Sequence, residues 1–297
     1  MAVVEARKLD PEELWKWMDD FHWQNFHGIW VNWRIDGSSA CDPAKVYRSI
    51  RSFQSHADDR SVVLHKNDWY DPRGGDRDWM LGPWLINRQD HCAADGIIHP
   101  AVPSSRTLIF PNGDLGWLPL EIDFPRKPVP SEVHFMLPGK EGRAAIIFSY
   151  STDGSVSASQ ILEESRDSGE RPGDSWHGSV WKHELATVPL EPSREEPRGE
   201  FVGQEMTLFP CDLTLETRGG VAWGGFKSAC DEEQAFMVHM PYGFTACVPR
   251  NVNPGQEFAC VVNWVVSADE VRRISWKYSA EGKLDHIKSA SFHSVKT

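Results

Sequence analysis

A chain of 297 residues is about twice the usual domain length of roughly 150, so it holds two domains or one large barrel, and either can bury a core. A formal net charge of -12, with no clustered run of Lys and Arg, excludes nucleic acid or an anionic membrane surface as the expected partner. Fourteen Trp and fourteen Phe, each removing roughly 150–250 Å² from water when buried, exceed the needs of a small core and point to a lined cavity.

No apolar run reaches the roughly 18 residues that cross a bilayer, and the N-terminus lacks a positive region followed by an apolar one. Cys41, Cys92, Cys211, Cys230, Cys247 and Cys260 are scattered without a Cys-x-x-Cys pair. The expectation is a reduced, cytoplasmic protein without membrane insertion.

Asp10 caps a helix that begins at Pro11, with Glu13 completing a capping box. Leu14, Trp17, Met18 and Phe21 form one helical stripe, suited to bracing a barrel end, and the helix should end near Trp23. Strands follow. Ile29, Val31 and Trp33 alternate with Trp30, Asn32 and Arg34, and Asp36-Gly37 breaks the run. A second run puts Val46, Arg48 and Ile50 on one face and Tyr47, Arg51 and Phe53 on the other. Charge on both faces would be costly in an aliphatic sandwich, whereas a barrel around a partly polar pocket accommodates it. Turn signals at Pro72-Arg73-Gly74-Gly75, Pro83, Asn112-Gly113, Pro138-Gly139, Asp153-Gly154 and Glu281-Gly282 continue the rhythm of an antiparallel meander.

Two stretches repeat. Phe26-His27-Gly28-Ile29-Trp30 recurs loosely as Trp176-His177-Gly178-Ser179-Val180, and Phe148 to Gly154 recurs as Trp276 to Gly282. Between the halves, Glu163 to Ser175 is polar, charged and rich in Gly and Ser, and reads as a linker. The predicted fold is therefore all-β: two antiparallel barrels in tandem with an N-terminal helix, divided into 1–167 and a smaller 168–297.

Gly28-Ile29-Trp30 matches the Gly-x-Trp that opens lipocalin-like (calycin) barrels. With Arg48 to Phe53, His65-x-Asn67-x-x-Tyr70, Phe110-Pro111-Asn112-Gly113, Trp117 and the closing run from Pro241 to Leu284, the chain resembles a calycin family known mainly as a domain of unknown function, found in cyanobacteria, plants and fungi. The resemblance spans nearly the whole chain. It implies the barrel fold, an arginine stacked across the opening tryptophan and, from some fungal members, hetero-Diels–Alder cyclisation of terpenoid or tropolone intermediates.

Signatures of covalent and metal chemistry are missing: Gly-x-Ser-x-Gly, His-Glu-x-x-His, a Walker loop and Gly-x-Gly-x-x-Gly. Asp68, Asp71, Asp76 and Asp78 crowd one turn, but Arg73 and Arg77 interrupt them and the spacing is not that of an EF-hand. Neither metal nor cofactor is expected; a metal would direct attention to His65, His91 and His99. His65 shares a strand face with Val63, Asn67 and Trp69 and is either a hydrogen-bonded core residue or an acid–base group. His99, between glycine and prolines, belongs to a rim loop or to the plain surface. Arg51 needs a carboxylate, carbonyls or a ligand oxygen if it is buried.

The expected catalytic groups are His65, Arg51 and His99. Trp33, Tyr47, Phe53, Trp69 and Tyr70, with Trp79, Trp84, Phe110 and Trp117, are the expected substrate-binding residues. They suit a cofactor-independent cyclase of hetero-Diels–Alder type, with or without dehydration, acting on a hydrophobic terpenoid or aromatic intermediate. A non-catalytic binder of a pigment, lipid or isoprenoid is the alternative, and a fully packed interaction protein the third. The partner expected is a small hydrophobic molecule; monomer and homodimer both stay open.

Overall fold

The computed structural model describes residues 4–35, 41–56, 58, 60–70, 77–166, 195–226 and 234–295. In chain order the first strands are β1 (Val4–Lys8), β2 (Asn25–Ile35), β3 (Cys41–Ser55), β4 (Val62–Tyr70), β5 (Arg77–Asn87), β6 (Cys92–Ala93), β7 (Gly96–His99), β8 (Val102–Ile109), β9 (Leu115–Pro119), β10 (Val129–Met136), β11 (Gly142–Tyr150) and β12 (Val156–Arg166). Then come β13 (Phe201–Phe209), β14 (Thr214–Ala222), β15 (Ala235–Met240), β16 (Phe244–Pro249), β17 (Phe258–Ser267), β18 (Glu270–Tyr278) and β19 (Leu284–Ser294). Helix α1 spans Pro11–Phe21 and the single turn α2 spans Arg88–His91.

The strands pair into two antiparallel ladders. One has eleven strands in the order β5-β4-β3-β2-β12-β11-β10-β9-β8-β7-β6, the other eight in the order β1-β14-β13-β19-β18-β17-β16-β15. The larger ladder curls until its ends meet: the rings of Trp84 on β5 and His99 on β7 stand 5.1 Å apart. It is a nearly closed barrel whose seam is bridged by side chains. Strand β1 pairs with β14 of the smaller ladder, while α1 packs on β6, β7 and β8 of the larger one.

The capping box forms as the sequence predicts: Glu12 N–H donates to Asp10 Oδ1 at 3.0 Å and Asp10 N–H donates to Glu13 Oε2 at 3.0 Å. The buried face of α1 is shifted, however, to Leu14, Trp15 and Met18, with Trp17 and Phe21 only partly covered. Trp15 turns inward because the chain doubles back after the helix and sets Trp23 edge-on against it at 4.1 Å.

The ladders share one core between their outer faces, where Phe135 of β10 meets Phe244 at 5.9 Å and Trp264 at 5.8 Å. Reciprocal tethers cross it. Tyr150 donates its hydroxyl to the carbonyl of Pro249 and Tyr278 donates to that of Pro119, both at 2.8 Å. These tyrosines are the third residues of the second repeated stretch, and each is followed by the same tight turn, Gly154 N–H to Ser151 O and Gly282 N–H to Ser279 O.

The linker expected from Glu163 does not begin there. Glu163 to Arg166 complete β12, with Glu163 fully buried, because its charge is paired inside the barrel rather than solvated. Residues 167–175, the repeat at Trp176 to Val180, and the turns at Asp36-Gly37 and Pro72 to Gly75 lie outside the described residues. Cys247 is disulfide-bonded, which corrects the all-reduced expectation at that position; Cys92, Cys211 and Cys260 are free. Among the described residues no helix is long and apolar enough to cross a membrane.

Candidate functional site

Residues directly opposite in an antiparallel pair share a face, so the registers assign the barrel interior. Phe26, Arg51, Asn67 and Leu81 form one row across β2, β3, β4 and β5; Gly28, Ser49, Trp69 and Trp79 form the next; Phe53, His65 and Trp84 form a third. On the opposite wall Glu132 faces Trp117, and Trp117 faces Thr107. These rows enclose a cavity of about 400 Å³, walled by Phe53, Trp30, Trp69, Trp79, Trp84 and Trp117, with Met18 and Trp23 contributed from and just beyond α1. Its volume is that of a small-molecule site, which runs to roughly 300–1,000 Å³. It opens at β5, where Trp79 and Leu81 are 39% and 49% exposed.

Set into this aromatic wall is a network of buried charge. Arg51 Nη1 donates to Glu132 Oε1 at 3.0 Å and its Nε lies 3.9 Å from Glu163 Oε1. Arg143 Nε donates to Glu163 Oε2 at 2.6 Å and its Nη1 donates to His22 Nδ1 at 3.0 Å. The Gly-x-Trp glycine has a local reason: a Cβ on Gly28 would stand 2.8 Å from Glu163 Cγ and 2.0 Å from Leu162 O, so only glycine admits the buried carboxylate. Burial pushes the Glu132 carboxyl up, but Arg51 and His134 outweigh it and hold it below its ordinary range.

His65 and His99 are held neutral, and their tautomers follow from their partners. Ala101 N–H donates to His99 Nδ1 at 3.1 Å, so His99 Nε2–H donates to His65 Nδ1 at 2.7 Å, and His65 Nε2–H donates to Asn67 Oδ1 at 2.9 Å. Burial, aided by the neighbouring imidazole and Arg51, holds His65 well below its ordinary value; burial and Arg51 bring His99 down to about 4. His65 also lies flat on Phe53, ring centres 4.1 Å apart. Several buried nitrogens around the cavity have no hydrogen-bond partner among the described residues: Nε1 of Trp69 and Trp117, Nη2 of Arg143, Nε of Arg51 and Nδ1 of His134.

Eight of the twelve expected site residues line this cavity: Arg51, His65, His99, Phe53, Trp69, Trp79, Trp84 and Trp117. Tyr47 stands on the interior face but behind the wall, edge-on to Trp79 at 4.9 Å. Three expectations are corrected. Trp33 points outward into the core between the ladders, since strand parity gives the interior position to Trp30. Tyr70 lies on the outer face of β4 against Ile50. Phe110 follows β8 as a fully buried core residue beside the Asn112-Gly113 turn. The cation expected over the opening tryptophan is instead Arg143, stacked on Phe26 at 3.7 Å. His91 is held by Asn87 of the adjoining turn, apart from the His65–His99 pair.

Glu132, His134, Arg143 and Glu163 were not among the expected residues. For the first two a signal exists: in VPSEVHFM they alternate with Val133 and Phe135, the period of a strand with one polar, buried face. Arg143 and Glu163 meet only through the β11–β12 register, which spacing does not reveal.

Among curated proteins no sequence matches the chain. A crystal structure of a protein of unknown function from the DUF3598 family of Nostoc punctiforme aligns over 97% of this chain and 100% of its own, with a TM-score of 0.64 at 15% identity, a likeness of fold. The S-type phycobiliprotein lyase CPES of Guillardia theta aligns over 54% of this chain and 94% of its own at 10% identity, with a TM-score of 0.31, below the level of a shared overall shape. Over residues 12–169, more than half its length, the chain matches the family described as "Domain of unknown function (DUF3598), N-terminal", and it belongs to that family.

Proposed function

We propose that the first barrel binds one hydrophobic, partly polar molecule and promotes its cyclisation without a cofactor. The observation that carries this is the cavity of about 400 Å³, with neutral imidazoles and a buried arginine set into a tryptophan wall. Such a wall holds a terpenoid or aromatic intermediate in one folded conformer, and positioning of this kind contributes up to roughly 7–11 kcal/mol. Arg51 lines the cavity and supplies positive charge for a substrate carbonyl or phenolate. His99 Nδ1, whose partner is the N–H of exposed Ala101, is the nitrogen most cheaply released to substrate, and His65 shares the resulting charge through the 2.7 Å contact. The division at 167/168 belongs to the same proposal, with function in the first unit.

A second use of the cavity, retention of a pigment, lipid or isoprenoid without turnover, is favoured by one observation: both nitrogens of His65 and of His99 are already engaged within the protein. The test is to incubate chelator-dialysed protein with terpenoid and aromatic polyenes and follow conversion to isomers of equal or dehydrated mass. Turnover that falls at least tenfold in His65→Ala, with the fold intact by circular dichroism, supports the cyclase. A chromophore retained through purification, with no compound converted, supports the binder and ends the cyclase proposal.

A further inference from the structure

Glu132 and His134 stand on the same face of β10, two residues apart, and both line the cavity. His134 Nε2 lies 2.6 Å from Glu132 Oε1, and the same oxygen accepts from Arg51 at 3.0 Å. A carboxylate tied to a guanidinium is an acceptor only, so Nε2 carries the imidazole proton and the lone pair of the neutral ring sits on Nδ1. That atom is buried and has no hydrogen-bond partner among the described residues. This is the arrangement in which a carboxylate fixes a histidine's tautomer and turns its other nitrogen into a proton acceptor. Burial brings His134 down to about 4 despite Glu132, so the ring is uncharged near neutral pH.

The neighbours define what the base would act on. Trp117 stands directly opposite Glu132 across β9 and β10. His22 joins His134, ring centres 5.8 Å apart, to Arg143, 3.0 Å from His22. Trp117 Nε1 and Arg143 Nη2 are both donors with no hydrogen-bond partner among the described residues. Trp117, Arg143 and His134 line the same cavity, and donors of this kind suit an oxygen that is gaining charge.

We propose that Glu132 and His134 form a carboxylate–imidazole base that takes a proton from a weakly acidic conjugated ligand, a phenol or an enolisable carbonyl compound. The inference rests on the first barrel's cavity being a ligand site and names the chemical class it takes. The ligand's O–H bond, or its C–H bond beside a carbonyl, breaks; the proton forms an N–H bond at His134 Nδ1. The electron pair stays on the ligand and is delocalised onto its oxygen, where Trp117 and Arg143 donate, and the negative charge set beside the imidazolium offsets the burial that keeps the free ring neutral. Glu132 faces the imidazolium as a positioning residue, and no oxidant or co-reactant is consumed.

Two dyes of one shape test this: 7-hydroxycoumarin, which can ionise, and 7-methoxycoumarin, which cannot. At a pH where the free hydroxycoumarin is protonated, the purified protein should bind both and show the phenolate absorption band with the first alone. His134→Phe should bind both dyes yet lower the phenolate fraction at least tenfold, and its binding of the methoxy dye reports that the barrel has folded. Nitrogen-15 NMR of the wild-type protein should show His134 protonated at Nε2 and bare at Nδ1. Binding of the methoxy dye with the hydroxy dye left protonated overturns the base and leaves the cavity standing. Binding of neither dye overturns both, and phenolate formation that persists in His134→Phe overturns the assignment to this histidine.

Discussion

The two ladders contain the same ingredients, arginine and aromatic rings on an inner face, and use them differently. In the smaller one Arg273 donates to Asn263 Oδ1 at 2.8 Å and to the carbonyl of Gly225 at 3.1 Å, and its guanidinium lies 5.6 Å from the Phe292 ring. Trp223 packs edge-on against Phe201 at 5.4 Å and Phe226 at 5.6 Å, so the segment after β14 fills that interior. In the larger ladder no such segment enters among the described residues, and Arg51 and Arg143 hold each other's carboxylates around a cavity. Inward arginine and tryptophan are therefore compatible with plain packing. What separates a site from a core is the space left beside those side chains, which the larger ladder keeps and the smaller one fills around Arg273.

The strongest way to break this contrast is to remove the cations. Arg51→Met leaves Glu132 buried against His134 alone, and loss of one partner of a buried pair costs about 3–5 kcal/mol. Urea denaturation should show that loss, and a smaller one, about 1–3 kcal/mol, for Arg273→Met, which strands neutral acceptors only. Equal losses would mean that the two interiors are energetically alike.

Acid should separate them next. His65, His99 and His134 are held below their ordinary value in the folded barrel, the last two at about 4, so the unfolded chain binds more protons below about 6.5. Their neutrality therefore favours folding above pH 6.5, and stability falls as pH drops from there to about 4, with a limiting slope of about 1.4 kcal/mol per pH unit for each histidine. Urea midpoints measured across that window check it; a flat profile would show the imidazoles to be open to water.

Filling the cavity sharpens the comparison with less disturbance. Thr107→Phe places a ring where the structure has room, and should weaken 7-methoxycoumarin binding at least tenfold, about 1.4 kcal/mol, while moving the urea midpoint little. The smallest effect expected is at the reciprocal tethers. Tyr150→Phe and Tyr278→Phe should each cost about 1 kcal/mol by equilibrium unfolding, and the two losses should match within error if the repeated turns are equivalent supports.

The strand rhythm, the capped helix and the repeated Tyr turn were all legible, because period-two patterning and turn chemistry are local properties. Most of the aromatic wall was legible for the same reason, as Phe53, His65 and Trp69 follow from parity. Trp33 was misplaced because parity fixes which residues share a face without saying which face is inside, and β2 is buried on both. Glu163 was misread as linker because composition counts charges and cannot see that Arg143 and the space left by Gly28 receive this one. The Glu132–His134 contact depends on burial, which gives a two-residue spacing its chemical meaning only after the barrel has formed.

The placement of β1 has a consequence for how the chain is made. Val4–Lys8 is synthesised long before its partner, Thr214–Ala222, so the strand must wait unpaired until β14 has been made. Long-range pairing of this kind slows folding, because loop closure precedes any gain from the contact. A waiting strand is also an edge on which other chains can add. Its sequence suits the delay: all five residues remain exposed even in the finished sheet, and Glu5, Arg7 and Lys8 put charge along it, which discourages pairing with strangers until β14 arrives.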